Sequence, residues 1–292
     1  MKITELFERG EFVVSAEVGP PKGFHVEHLI EEAKTYLSGI TAVNVTDNQS
    51  SVMRLGSLAM CKALKDEGLT PIFQLTCRDR NRIALQSDLL SAAMFGIENL
   101  LLLTGDHTKM GDHPQAKPVF DLDSVSLIHT VKQLEAGVDL GGNPLIGEPP
   151  SFAKGAVVSP CSDSVDAQLA KMERKVRAGA DYFQTQAVFE PEKFIKFMEK
   201  AKQFGKPVQV GIIIPKSVGM ARFMNNNVAG VHVPEEMIEE LKKDKEKTKA
   251  GITGVEIAAR IIKECKPYCQ GVHIMALGWE SKVPELLKLA EI

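Results

Sequence analysis

The chain predicts a single-domain (β/α)8 barrel spanning residues 1–292, and three observations lead there. Apolar runs bounded by turn chemistry number eight, each leads into a helical pattern or a longer excursion, and the length of 292 residues lies near the ~250 typical of that fold. The runs are continuous rather than alternating, as expected of parallel strands covered on both faces. Alternation of strand and helix also suits an open doubly wound sheet, but count and length favour closure.

In order, the predicted strands are Phe12 to Val18, Thr41 to Thr46, Ile72 to Thr76, Asn99 to Leu103, Gly155 to Val158, Tyr182 to Gln186, Val208 to Ile214 and Val272 to Leu277. Helical patterns lie between them at Glu27 to Leu37, Val52 to Asp66, Arg80 to Phe95, Asp166 to Ala178, Pro191 to Phe204 and Val255 to Cys265. Gly68, Gly96, Gly179 and Gly205 follow the last periodic residues of four of these, where a left-handed residue ends a helix most cheaply as glycine.

Two stretches break the rhythm. His107 to Asp121 follows the fourth strand and Gly137 to Lys154 precedes the fifth. Loops of that length in a compact domain usually carry function, so both are expected near the site. Glu235 to Lys249 alternates in sign and reads as a solvated surface helix.

A formal charge of -3 leaves no basic surplus to neutralise a phosphate backbone, which argues against nucleic acid and for a small-molecule partner. No apolar stretch approaches the ~20 residues that cross a bilayer, so no membrane partner and a cytoplasmic location are expected. Five cysteines suit a reducing compartment better than a disulfide framework. Cys265 and Cys269 form a lone CxxxC that lacks further ligands, and no metal is expected.

In barrels of this kind the chemistry sits where strands end. The ends here are Glu17, Thr46 with Asp47, Thr76, Asp106, Ser159, Gln186, Lys216 and the pair Gly278-Trp279. Glu17 and Asp106 come from strands three apart and can face one cavity, dividing acid and charge-stabilising roles, or can simply cap turns. Gln186 ends an apolar strand with an amide that needs partners, either loop backbone or the edge of a ligand ring. Lys216 is the one strand-end lysine available for a Schiff base, as a barrel lyase or aldolase would need. No dinucleotide fingerprint, phosphate-cradling P-loop, zinc helix motif or nucleophile elbow is present.

With these residues placed, the chain resembles the methylenetetrahydrofolate reductase family, flavin-dependent barrel enzymes of one-carbon metabolism. The likeness runs through Ala16-Glu-Val-Gly-Pro-Pro21, Val45-Thr46, Leu75-Thr-Cys77, Thr104-Gly-Asp106, Phe183-Gln-Thr-Gln186 and Gly271-Val-His273. Gly111-Asp-His-Pro114, Val119-Phe-Asp-Leu-Asp-Ser124 and Gly141-Gly-Asn-Pro144 resemble the bacterial branch.

The resemblance implies hydride transfer from a reduced flavin, FAD or FMN, to 5,10-methylenetetrahydrofolate. Glu17 then matches the general acid that protonates N10 of the folate, and Asp106 the charge beside flavin and pterin. Gln186 matches a pterin-binding amide. Thr46, Thr76, Asp106, Ala153, Gly155, Ser159, Arg174 and Lys175 fall at flavin contacts, the two cations at its phosphates. Gln74, Gln168, Asp47 and Trp279 depart from the histidine, aspartate, tyrosine and nearby arginine common in the family, which bears on the adenylate end of FAD. The electron donor is expected to be NADH, or an iron-sulfur partner subunit with this chain as its folate-binding component, and the enzyme is expected to be an oligomer.

Overall fold

The eight apolar runs become eight strands: β1 (Val13–Val18), β2 (Ala42–Val45), β3 (Pro71–Thr76), β4 (Asn99–Leu103), β5 (Ala153–Val158), β6 (Tyr182–Ala187), β7 (Val208–Ile213) and β8 (Gly271–Met275). In a computed structural model describing residues 1–243 and 252–292, they form a closed parallel barrel in sequence order, with β1 returning to β8 through the register Val13↔Gly271.

The helices are α1 (Ile3–Glu8), α2 (Glu27–Tyr36), α3 (Ser57–Asp66), α4 (Arg82–Met94), α5 (Ser124–Glu135), α6 (Val165–Ala178), α7 (Pro191–Ala201), α8 (Val218–Asn227), α9 (Glu235–Lys243), α10 (Ile252–Cys265) and α11 (Val283–Ala290). Gly68, Gly96, Gly179 and Gly205 all take positive φ, the backbone that ends a helix at least cost in a residue without Cβ.

Inward-facing residues stack in layers. The lowest is apolar and joins Val13, Ala42, Ile72, Leu101, Ala153 and Tyr182, with Ile3 and Leu6 of α1 closing the floor. The next is polar, with Ser15, Asn44, Gln184, Gln209 and His273 all buried. Above it the strands open at their C-terminal ends.

Three expectations are corrected. α3 starts at Ser57 rather than Val52, because Asn48, Ser50 and Ser51 adopt left-handed backbone (φ 44°, 56° and 60°) that cannot open a helix. Gly137 to Lys154 links the end of α5 to the start of β5, so it runs at the N-terminal end of the barrel, away from the mouth. The charged segment is helical as α9, but Ile238 and Leu241 are buried, so only part of its surface meets water. Its residues 244–249 lie outside the described residues.

Gly155 shows how tightly the lower barrel is filled. A Cβ there would fall 2.4 Å from the Tyr182 ring and 2.7 Å from the Leu100 carbonyl oxygen, the same oxygen that accepts the Tyr182 hydroxyl at 2.8 Å. Overpacking of this kind costs about 1–3 kcal/mol. Gly155→Ala is therefore expected to lower the unfolding free energy by that amount, read as a lower urea midpoint at unchanged slope, and an unchanged midpoint would contradict the packing described.

Candidate active site

At the C-terminal mouth lies a cavity of about 440 Å³, within the range of small-molecule sites, and both Glu17 and Asp106 line it. Glu17 is the last inward residue of β1, with its side chain 12% exposed. Its Oε1 receives His273 Nε2 at 3.3 Å and Gln74 Nε2 at 3.4 Å. His273 Nδ1 in turn lies 3.2 Å from Ser15 Oγ. Sequence reasoning passed over Ser15, Asn44, Gln184 and Gln209. For Ser15, Asn44 and Gln184 the signal was a polar residue two positions before a strand-end group, the spacing that puts both on one face of a strand; Gln209 near the start of β7 carried no such mark.

Asp106 is exposed, and among the described residues its carboxylate makes no hydrogen bond or ion pair, while its backbone is tightly held. Ser51 Oγ donates to the carbonyls of Asp106 and His107 at 3.1 Å each. Gly111 packs where a Cβ would come 1.8 Å from the Ser51 carbonyl oxygen. Asp112 then accepts Met53 N at 3.1 Å and pairs with Lys22. These contacts hold the Asp112 carboxyl well below the usual range, the Lys22 hydrogen bond first among them. The loops after β1, β2 and β4 are thus locked together, leaving the Asp106 carboxylate free toward the cavity.

Gln186 owes its direction to a bulge. Between the pairs Gln184↔Gln209 and Ala187↔Gly211, β6 carries one residue more than β7, a device that re-aims a side chain beside a site. Gly211 permits it, since a Cβ there would meet the Thr185 carbonyl oxygen at 2.2 Å. The Gln186 Oε1 accepts Ala187 N at 3.1 Å, and its amide nitrogen has no partner among the described residues.

Residues three and four apart on α6 share a face, and Gln168, Lys171 and Lys175 line the cavity from one such face. Lys175 donates to the Val157 carbonyl at 2.6 Å. Burial, then the neighbouring Lys171, pushes its ammonium down to about 8. Arg174 is exposed and does not line the cavity; Lys171, which sequence reasoning did not single out, takes the second cationic place. Ser159 also lines it.

Ala153 and Gly155 are not brought to the mouth. They open β5 instead of ending it, and sit in the floor of the barrel against Tyr182. Lys216 also stays outside the cavity lining. Its ammonium bonds to the Leu277 carbonyl and lies 5.0 Å over the Trp279 ring, and burial lowers its proton affinity. The lyase expectation therefore finds no lysine at the mouth from β7.

Thr46 Oγ1 is buried in the cavity wall with no hydrogen-bond partner among the described residues. A hydroxyl in that state costs about 1–3 kcal/mol unless something satisfies it, which fits a ligand carrying polar ring atoms. Thr76 is differently placed: its hydroxyl donates to Asp47 Oδ2 at 2.8 Å. Asp47 is fully committed, since Arg80 Nη1 and Nη2 reach its two oxygens at 2.8 and 3.2 Å.

All five cysteines are free and buried. Burial pushes Cys161 and Cys269 up to about 11. Among the described residues no group of three His, Cys, Asp or Glu is placed to hold a metal ion, and no helix is long and apolar enough to cross a membrane.

The fold and its mouth, lined by two carboxylates, a glutamine amide and two lysines, have the form of a barrel enzyme's active site. The chain belongs to the methylenetetrahydrofolate reductase family, a family of oxidoreductases whose model matches residues 2–291. It is 27% identical over 316 residues to "Methylenetetrahydrofolate reductase 2" of Schizosaccharomyces pombe, covering 99% of this chain and 47% of that protein. With the 5,10-methylenetetrahydrofolate reductase of Salmonella typhimurium it shares 26% identity over 265 residues, 87% of this chain and 82% of the relative. The chain thus spans about half the length of the yeast relative and most of the bacterial one.

Among solved structures, the fold is shared with an uncharacterized protein from Clostridium thermocellum described as binding two copies of 5-methyl-5,6,7,8-tetrahydrofolic acid. The TM-score is 0.69 at 14% identity, covering 99% of this chain and 98% of that one. A 2,3-dimethylmalate lyase shares the architecture with a TM-score of 0.55 at 11% identity, covering 100% of this chain and 88% of that one.

The low value of Lys175 makes a testable statement about pH. A lysine whose folded value lies below its unfolded one penalises the fold while charged. The penalty is full below pH 8 and fades between about 8 and the ordinary 10.5. The stability difference between the native chain and Lys175→Met should therefore shift in favour of the native chain across that window, measured by denaturant titration at stepped pH. A difference that stays flat there would show that Lys175 is not buried as described.

Proposed function

We propose that the chain reduces 5,10-methylenetetrahydrofolate to 5-methyltetrahydrofolate with electrons from a bound flavin. The observation that carries this reading is that Glu17, Asp106 and the unpartnered Thr46 hydroxyl meet in one mouth cavity. Thr46, Thr76, Ser159, Lys171 and Lys175 are the residues that would hold the flavin, the lysines through its phosphate. When bound, the flavin supplies the hydride that reaches the one-carbon unit of the folate.

The chain's own residues prepare the substrate. Glu17 delivers a proton to N10 of the folate, the N10–carbon bond breaks, and the one-carbon unit remains on N5 as a cationic iminium able to accept hydride. The Asp106 carboxylate, without a protein partner among the described residues, steadies that positive charge. Gln186 offers its unused amide N–H groups to the pterin edge. Thr76 has already spent its proton on Asp47, so toward a cofactor its hydroxyl acts only as an acceptor.

Glu17→Gln is expected to keep flavin bound and to lose folate reduction, by about a hundredfold or more; turnover at the native rate would refute the acid role. Asp106→Asn is expected to shift the flavin midpoint potential and weaken folate binding together, and an unchanged potential and affinity would remove its role. For the donor, anaerobic addition of NADH should bleach the flavin absorbance. A flavin that stays oxidised with NADH but is reduced through an iron-sulfur partner would instead make this chain the folate-binding subunit of a larger complex.

A further inference from the structure

In the polar layer beneath Glu17 the direction of each hydrogen bond is fixed by the one before it. Gln209 Nε2 lies 3.2 Å from two backbone carbonyls, Val13 O and Val272 O. Carbonyls only accept, so the amide nitrogen must face them and Gln209 Oε1 must face Gln184 Nε2 at 3.0 Å. Gln184 then turns its Oε1 to Asn44 Nδ2 at 2.8 Å. Ser15 Oγ is therefore met by two NH2 groups, from Gln184 at 3.3 Å and Gln209 at 3.2 Å. Neither can take a proton from it.

Among the described residues, the only acceptor left for the Ser15 hydroxyl is His273 Nδ1, at 3.2 Å. With Nδ1 accepting, the imidazole carries its hydrogen on Nε2 and donates it to Glu17 Oε1 at 3.3 Å. Gln74 Nε2 reaches the same oxygen at 3.4 Å. Two N–H groups thus converge on Oε1 of Glu17, and Oε2 has no protein partner among the described residues.

We propose that His273 is a positioning residue: the Gln209–Gln184–Ser15 relay locks it as the Nε2–H tautomer, and it fixes Glu17 with Oε1 anchored inward and Oε2 as the oxygen that carries the transferable proton. This rests on the acid role of Glu17 proposed above. The consequence is that Ser15, a residue that does not line the mouth cavity, governs proton delivery there by deciding which imidazole nitrogen holds the hydrogen.

The test uses the full flavin-loaded chain labelled with ¹⁵N-histidine. Long-range ¹⁵N–¹H correlation spectra, with His273 assigned by its loss in His273→Gln, should show the Nε2–H tautomer in the native protein and a mixture in Ser15→Ala. Single-turnover reoxidation of the reduced protein by 5,10-methylenetetrahydrofolate should slow about ten- to a hundredfold in His273→Leu and Ser15→Ala, with the folate KM within about twofold of native. His273→Gln, whose amide N–H stands in for Nε2–H, should recover most of the rate.

Flavin content and far-UV circular dichroism identify any variant that has failed to fold, and the native spectrum needs no variant at all. An Nδ1–H tautomer in the native protein overturns the proposal. So does a native rate in His273→Leu when Glu17→Gln is slow. If Glu17→Gln itself reoxidises at the native rate, the acid role has failed, and the positioning role fails with it whatever the tautomer.

Discussion

The direction of one buried amide governs much of this barrel. Gln209 Nε2 is turned toward the carbonyls of Val13 and Val272, and that choice orients Gln184, Asn44, Ser15 and His273 in turn. A buried donor or acceptor left without a partner costs about 1–3 kcal/mol, so such an array is stable when every member is satisfied and poor when one is reversed. The layer below has no such choice to make, being apolar and closed by α1. The interior is therefore graded, from packed hydrocarbon at the floor, through a fixed hydrogen-bond pattern, to the Glu17 carboxyl at the mouth.

A second constraint acts from outside the barrel. The loop after β2 holds Asn48, Ser50 and Ser51 in left-handed backbone, a state costing of order 1–3 kcal/mol each that persists only when surroundings over-determine it. They do so here. Arg78 donates to the Asn48 carbonyl at 3.2 Å, and Ser51 bonds to two carbonyls of the loop after β4. The strained loop and the Asp106 backbone thus fix one another, and rigid backbone presents a carboxylate that has no protein partner among the described residues. Positioning and availability are separated: the main chain is held, the side chain is left for a ligand.

Most of the barrel was legible because its signals are local. Eight apolar runs and four glycines at helix ends need only the chain's immediate neighbourhood to be read, and strands and helices formed within a few residues of expectation. The rim followed from strand ends, so Glu17, Thr46, Asp106, Ser159 and Gln186 reached one cavity. Errors arose where direction along the chain mattered. Ala153 and Gly155 belong to the right strand but its wrong end, and the long stretch before β5 runs at the wrong pole for the same reason. Arg174 and Lys171 differ by a rotation about α6 that adjacency in sequence does not reveal. The polar layer was visible as Ser, Asn, Gln and His inside apolar runs, yet its meaning required knowing that residues 15, 44, 184, 209 and 273 share one level of a closed barrel.

The departures from the family pattern acquire a physical sense in this geometry. Asp47 stands where a tyrosine is common, and here it is buried and held by both Arg80 and Thr76. An unpaired carboxylate at that depth would be costly, so the arginine and the aspartate are tolerable only together. Their pairing withdraws the Thr76 hydroxyl proton from any cofactor. Gln168 is likewise turned inward, accepting Ser159 N at 3.3 Å. Both residues bond to the protein instead of facing the cavity freely, and so brace its wall. Among the described residues the Asp106 carboxylate, Glu17 Oε2 and the Gln186 amide nitrogen carry no such commitments. In the proposed function, Asp47 and Gln168 thus brace the wall around the cofactor, while a third departure, Gln74, bonds to Glu17 itself and bears on the proton-delivering group.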